Sequence, residues 1–223
     1  MSGPSPTSIQ SRTTSRRSDR RPDRRTVRRR RGWAALVLLV VFAGGLGVAW
    51  YQVHQAMPAW YARMWYPIDY EDVIAREAER NGLDPALVAG VIYTESGFVP
   101  DSRSSQGAVG LMQVLPSTAE FVATHPGRPS PAPEQIGRPE VNIAYGTRYL
   151  RYLIDGHDGS IPLALAAYNG GEANVDRWLA DAAAEGRELR IPEDIPFTET
   201  RGFVARVQAA QEIYRRAYGD RLG

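Results

Sequence analysis

Val91-Ile92-Tyr93-Thr94-Glu95-Ser96-Gly97-Phe98 is the stretch on which the reading of this chain turns. It closes a run in which Leu87, Val88, Val91 and Ile92 recur at helical spacing, so one face of a helix points into a core. Asp84-Pro85 supplies the start, an N-cap followed by proline at the first helical position. Gly97 supplies the stop. Glu95 falls one turn after Val91 and Ile92, facing the core side or a cleft edge. The negative end of the helix dipole and partial burial both disfavour its carboxylate and raise its pKa. A carboxyl kept protonated near neutrality is what a general acid must be. A solvated surface glutamate at a helix end fits the same local sequence, and these eight residues do not choose between the two.

Outward from this stretch the pattern stays helical. Asp69 is placed to cap a helix running to about Arg80, stopped by Asn81-Gly82. Ser104 to Gly110 reads as a Gly/Ser loop, and Pro116 opens a helix through about Thr124. Five prolines in 125–139 predict an extended loop. Further helices are expected at 140–155, 161–169, 172–184 and 200–218. Alternating strand patterns are missing, so the class is all-α, with at most a small β-hairpin in the 97–110 region.

Charge divides the 223 residues unequally. Residues 1–32 hold eleven arginines against two aspartates, a net +9, while the remainder holds 16 arginines against 23 acids, a net −7. The basic pI therefore belongs to a tail. An acidic folded part repels phosphate, so no nucleic-acid partner is expected. The tail, rich in Ser, Thr, Pro and Arg, has too little apolar surface to order itself and is expected to be disordered. Trp33 to Tyr51 carries no charge. As a helix it would span about 28 Å, close to a bilayer's hydrocarbon thickness. Trp33 and Trp50–Tyr51 stand at its ends, where such rings favour the interface. Arg28 to Arg31 abut one end and no arginine follows until Arg63, which puts the tail in the cytoplasm and the rest outside. The organisation expected is a cytoplasmic tail (1–32), a single transmembrane helix (33–51), a juxtamembrane stalk (52–68) whose Trp-Tyr pairs graze the membrane or pack on the neighbouring domain, and that folded domain itself (69–218); a cleaved signal peptide and a twin-arginine export signal are the alternatives to the anchor.

The chain has no cysteine, which excludes disulfides, thiolate metal sites and cysteine nucleophiles. Its three histidines, at 54, 125 and 157, are scattered. Asp155-Gly-His-Asp158-Gly lacks the rhythm of a calcium loop, and no phosphate-binding or dinucleotide glycine pattern is present. No metal and no cofactor are expected.

Four stretches in order, Glu95-Ser-Gly-Phe-x-Pro100 with Ser104 and Gly107-Ala-x-Gly110-Leu-Met112-Gln113-x-x-Pro116-x-Thr-Ala119, then Asn142-Ile-x-x-Gly146-x-x-Tyr149-Leu150, Ala164-Leu-Ala-Ala-Tyr168-Asn169-x-Gly171 and Glu199-Thr-Arg201-x-x-Val204, resemble the lysozyme-like catalytic domain of the soluble-lytic-transglycosylase family. The resemblance covers about residues 70–215. It implies peptidoglycan glycan strands as substrate, cut between N-acetylmuramic acid and N-acetylglucosamine, with Glu95 as the sole catalytic acid and base. It further implies that Ser104 and Gln113 hydrogen-bond the substrate, that Met112 packs under the sugars, that Tyr168 stacks on or bonds a sugar, that Asn169 belongs to the site and that Glu199 reaches the cleft wall. One carboxyl suffices where the substrate's own C6 hydroxyl is the nucleophile, whereas ordinary glycosidases need two. A lysozyme-type hydrolase on the same fold and a non-catalytic wall-binding scaffold are the alternatives. Tethering and protein regulators are expected, because an unrestrained wall-cutting enzyme is lethal. The chain departs from the family pattern at Gly170, where alanine is usual, and at Glu172-Ala173, changes expected to loosen the cleft rim.

Overall fold

The computed structural model describes residues 39–48, 50, 52, 57–125 and 132–222. The chain falls into two units divided between residues 54 and 55. In the first, residues 39–48 are helical with exposed apolar side chains. Among the described residues no helix is long and apolar enough to cross a membrane. The tail 1–32 lies outside the described residues, as do both ends of the expected span 33–51.

The second unit is built of helices: α1 (Ala59–Trp65), α2 (Glu71–Asn81), α3 (Pro85–Ser96), α4 (Pro116–Thr124), a single 3₁₀ turn (Pro133–Gln135), α5 (Pro139–Gly156), α6 (Ile161–Gly170), α7 (Glu172–Ala184) and α8 (Thr198–Leu222). Among the described residues no strand forms. Where a hairpin was the most the sequence allowed, two isolated antiparallel bridges stand instead, Arg103 to Val109 and Val109 to Val114.

α3 is apolar all round, and Ala86 through Ile92 are all buried. A helix without a polar face has to sit in the middle of its domain. α8 lies along it more extensively than any other element. Gly90 makes this possible, since a Cβ there would stand 3.0 Å from the Gln211 amide nitrogen and 3.1 Å from the Val207 carbonyl oxygen. Asp84 fastens the start of the pair. Its Oδ1 accepts from the Ala86 N–H at 2.8 Å, and its Oδ2 accepts from Gln211 Nε2 at 2.9 Å and from Arg215 at 2.6 Å. Burial alone would raise its pKa, but these donors prevail and hold the carboxyl below its ordinary value.

The expected helices are present within a residue or two, except that α8 runs four residues past the expected end at 218, and Pro85, Pro116 and Pro139 each occupy a first helical turn. The start of α2 differs. Its N-cap is Tyr70, left-handed at φ 59°, and not Asp69, because the Tyr70 ring packs on the core. The segment expected as a stalk, 52–68, contains α1. Ala62 is buried, Arg63 Nε donates to the Ala217 carbonyl at 2.6 Å, and the hydroxyls of Tyr218 and Tyr214 bond the carbonyls of Tyr66 and Pro67. Trp60, Met64 and Trp65 stay exposed.

Candidate active site

Glu95 stands in the last turn of α3. Gly97 ends that helix in the left-handed conformation, φ 58°, with its N–H on the Tyr93 carbonyl. The Ser96 hydroxyl donates to the Leu111 carbonyl at 2.8 Å and fixes the helix end to the next loop. Glu95 is half-buried, and its pKa is pushed up to about 7. Burial is the main cause, the negative charge of Glu199 adds to it, and the positive charge of Arg206 opposes it. The surface-glutamate reading therefore fails on environment: this carboxyl is neither freely solvated nor salt-bridged.

The loop facing it is knotted around Asn142, which has no exposed surface. Asn142 accepts from the Met112 N–H at 2.8 Å and donates to the carbonyls of Val109 at 2.8 Å and Ile136 at 2.9 Å. Gly110, φ 79°, gives it room, since a Cβ there would lie 2.5 Å from its amide nitrogen. Gln113 is held left-handed at φ 46°, with Nε2 donating to the Gly110 carbonyl at 2.8 Å and the Ser102 carbonyl at 3.2 Å. Such a conformation in a non-glycine residue persists only where neighbours enforce it. The Ser104 hydroxyl, which is exposed, accepts the N–H groups of Gln106 and Ala108 and so shapes its own loop.

Tyr168, on α6, donates its hydroxyl to the Met112 carbonyl at 2.7 Å. Its ring stacks on Phe203 and tilts against Tyr149. Burial, with the nearby charge of Glu95, drives the phenol pKa well above its ordinary value, so it stays a donor. A recess of about 250 Å³ opens here, with Gln113, Tyr149, Tyr168 and Asn169 among its lining residues. The Met112 side chain has no exposed surface. It lies against Gly146, where a Cβ would stand 2.5 Å from its sulfur, so it supports the floor from beneath and meets no ligand directly. Glu199, exposed in the first turn of α8, is near enough to Glu95 for their charges to interact.

Gly170 does not loosen the rim. It is the point where Thr200 closes in, 3.1 Å from where a Cβ would be, so the glycine draws α8 against α6. Three residues escaped the sequence-based assignment of the site: Asn142, Tyr149 and Arg206. Asn142 could have been found as a polar residue on an apolar helix face. Arg206 shares a face of α8 with Glu199, seven residues on. Among the described residues no group of three His, Asp or Glu side chains is placed to hold a metal.

The second unit thus presents a half-buried carboxyl whose pKa is pushed up to about 7, with a loop tied to its helix end by Ser96 and an aromatic-walled recess around Tyr168, whose phenol feels its charge. The chain belongs to the transglycosylase SLT domain family, which matches residues 72–191. It is 35% identical over 159 residues to the soluble lytic murein transglycosylase of Escherichia coli K12, covering 70% of this chain and 24% of that protein. It is 32% identical over 169 residues to the membrane-bound lytic murein transglycosylase C of Edwardsiella ictaluri, covering 66% and 46%. Among solved structures it is similar to an inactive glutamate-to-glutamine variant of the lytic transglycosylase Slt from Pseudomonas aeruginosa, with a TM-score of 0.62, 33% identity, and 74% of this chain and 26% of that one covered. The chain thus spans about a quarter of the length of the first of these relatives and under half of the second.

Proposed function

We propose that the chain is a lytic transglycosylase of peptidoglycan, cutting the glycosidic bond between N-acetylmuramic acid and N-acetylglucosamine without water. The observation that carries this is Glu95, a lone half-buried carboxyl with its pKa at about 7. Family membership and the names of the relatives support it. So does the inactivity of a relative that has lost a glutamate. Protonated Glu95 donates to the glycosidic oxygen, and the C1–O4 bond breaks with its electron pair going to the leaving sugar. The resulting carboxylate takes the C6 hydroxyl proton as O6 attacks C1. A 1,6-anhydro sugar forms, and Glu95 ends the cycle protonated. No second carboxylate is needed, because the nucleophile is held by the substrate itself.

In this reading Gln113, Tyr168 and Asn169 hold the sugar in the recess they line. Ser104, on the exposed loop, and Glu199, at the start of α8, bound the groove, and Met112 supports it from below. Purified chain acting on peptidoglycan tests the proposal by mass spectrometry. The expected product ends are lighter than hydrolysed ends by one water molecule. Reducing ends of full mass would assign the chain to the hydrolases, and intact strands with retained wall binding would make it a scaffold.

The chain is further proposed to be anchored by residues 33–51, with its tail inside and the second unit on the wall side. The uncharged run, its flanking arginines and the membrane-bound relative support this. Because the chain has no cysteine, single substitutions report topology cleanly. In intact cells Ser8→Cys should resist a membrane-impermeant thiol reagent and Glu193→Cys should react. Equal labelling of both rejects the anchor.

A further inference from the structure

Helix α1 leaves in the open the kind of side chain a folded domain normally buries. Trp60, Met64 and Trp65 are 62%, 64% and 61% exposed. Among the described residues of the second unit the other exposed large apolar side chains are Val99 and Phe197, so the exposed apolar surface is concentrated on one short helix. Its rings are continuous. Trp60 meets Tyr61 edge-on with centroids 5.7 Å apart, and Tyr61 tilts against Trp65 at 6.4 Å. Met64 follows Trp60 by one turn and extends the same face. A contiguous apolar patch of this kind marks a surface that meets another phase or partner.

The opposite face of α1 is fixed in place. Ala62 is buried against the core. Arg63, the single charged residue of the helix, turns to α8: besides its bond to the Ala217 carbonyl it pairs with Asp220 at 3.2 Å, and its guanidinium lies over the Tyr218 ring. Tyr66, just past the helix, packs on Tyr93 and Tyr214 with centroids 5.0 and 6.3 Å away. α1 is thus held on α8 and, through Tyr66, on the helix that carries Glu95. Its outward face is a preformed surface that moves with the second unit.

The chain itself points to what covers this face. From Trp33 to Ala62 it holds no arginine, aspartate or glutamate, so the uncharged run continues into the patch. Ala59 follows Tyr51 by eight residues, a reach of about 28 Å at full extension. With residues 33–51 in the bilayer, α1 cannot leave the neighbourhood of the lipid surface. Tryptophan and tyrosine are the side chains that settle between headgroups and acyl chains, and a helix lying there immerses only its apolar face. We propose that the outward face of α1 docks into the surface of the bilayer, with Trp60, Met64 and Trp65 below the headgroups. The inference rests on the proposed anchor and adds an orientation to it: the helix that carries Glu95 is held at a fixed tilt to the membrane and does not swing on a free tether.

The test uses the full chain, one copy per lipid nanodisc of phosphatidylethanolamine and phosphatidylglycerol, with a nitroxide on a single introduced cysteine, which the cysteine-free sequence permits. Electron paramagnetic resonance reads collisions with oxygen, which concentrates in lipid, and with a water-soluble nickel complex. The labelled sites are Phe42→Cys in the proposed span, Met64→Cys in the patch and Asp181→Cys on α7, all exposed. The oxygen-to-nickel ratio should be highest for Phe42→Cys, and several-fold higher for Met64→Cys than for Asp181→Cys. Adding Trp60→Ser and Trp65→Ser should bring the Met64→Cys ratio down to that of Asp181→Cys. Discs of phosphatidylcholine should give the same ranking, because the patch carries no charge. A Met64→Cys label as open to nickel as the Asp181→Cys label, with Phe42→Cys still protected, overturns the docking and leaves the anchor standing. A Met64→Cys label shielded from both reagents also overturns it, since protein then covers the face, and so does a ratio that survives loss of both tryptophans. A Phe42→Cys label open to nickel would instead overturn the anchor on which the inference rests.

Discussion

Replacing Glu95 by glutamine should stabilise the protein while abolishing its activity, and the stabilisation should depend on pH in a defined way. Glu95 gives up its proton near pH 4.5 in an unfolded chain and near 7 in the folded one. Between those values the folded state holds the extra proton, so stability falls as pH rises through the window. Below 4.5 both states are protonated and the side chain costs nothing. Above 7 both are ionised, and the folded state carries the full cost of a charge in a half-dry site. A shift of about 2.5 units at about 1.4 kcal/mol each makes that cost about 3 kcal/mol. Glutamine has the same shape and never ionises. Wild type and Glu95→Gln should therefore melt together at pH 4 and separate above pH 7, with the variant higher by about 6–12 °C at about 2–4 °C per kcal/mol. The assay is thermal unfolding of both proteins from pH 4 to 8, plotted as a difference. Every other titrating group is common to the two, so the difference curve isolates position 95. Parallel melting curves across the range would refute the claim that the fold holds this carboxyl protonated, and with it the physical basis of the proposed mechanism.

The same geometry sets three other outcomes. Activity should fall above about pH 7 as Glu95 ionises, and the alkaline limb should move down in Glu199→Gln, which removes a like charge, and up in Arg206→Gln, which removes an opposing one; kcat/KM against pH checks both directions. Asn142→Ala strands the Met112 N–H and the Val109 and Ile136 carbonyls in the interior, and urea unfolding should report a loss of about 3 kcal/mol or more. Gly90→Ala drives a methyl against the backbone of α8, which no rotamer change can relieve, and its melting midpoint should drop by the equivalent of about 1–3 kcal/mol.

The helices were legible in the sequence because their signals are local. Asp84-Pro85, Gly82 and Gly97 act within one turn of where they stand, and the structure uses all three. Tyr70 was not legible, since nothing local favours a tyrosine with positive φ over an aspartate as a cap; the core contact that enforces it comes from elsewhere in the chain. The same division runs through the site. Glu95 needed more than its own surroundings: the eight residues around it fit a surface glutamate as well, and only the four ordered stretches that carry the family resemblance singled it out. For Met112, burial decides: the resemblance implied packing under the sugars, and zero exposure leaves that role indirect.

Glu199 and Arg206 lie more than 100 residues beyond Glu95, and their opposed influences on it exist only once α8 has docked on α3. In the proposed mechanism the reaction is thereby governed at two levels. The proposed proton donor belongs to a sequence motif, whereas its pKa, raised mainly by burial, is adjusted by the two opposed charges that α8 carries. Substitutions along α8 can therefore retune the pH range of cleavage with Glu95 untouched, and damage to the α3–α8 contact should alter the pH profile before it unfolds the domain.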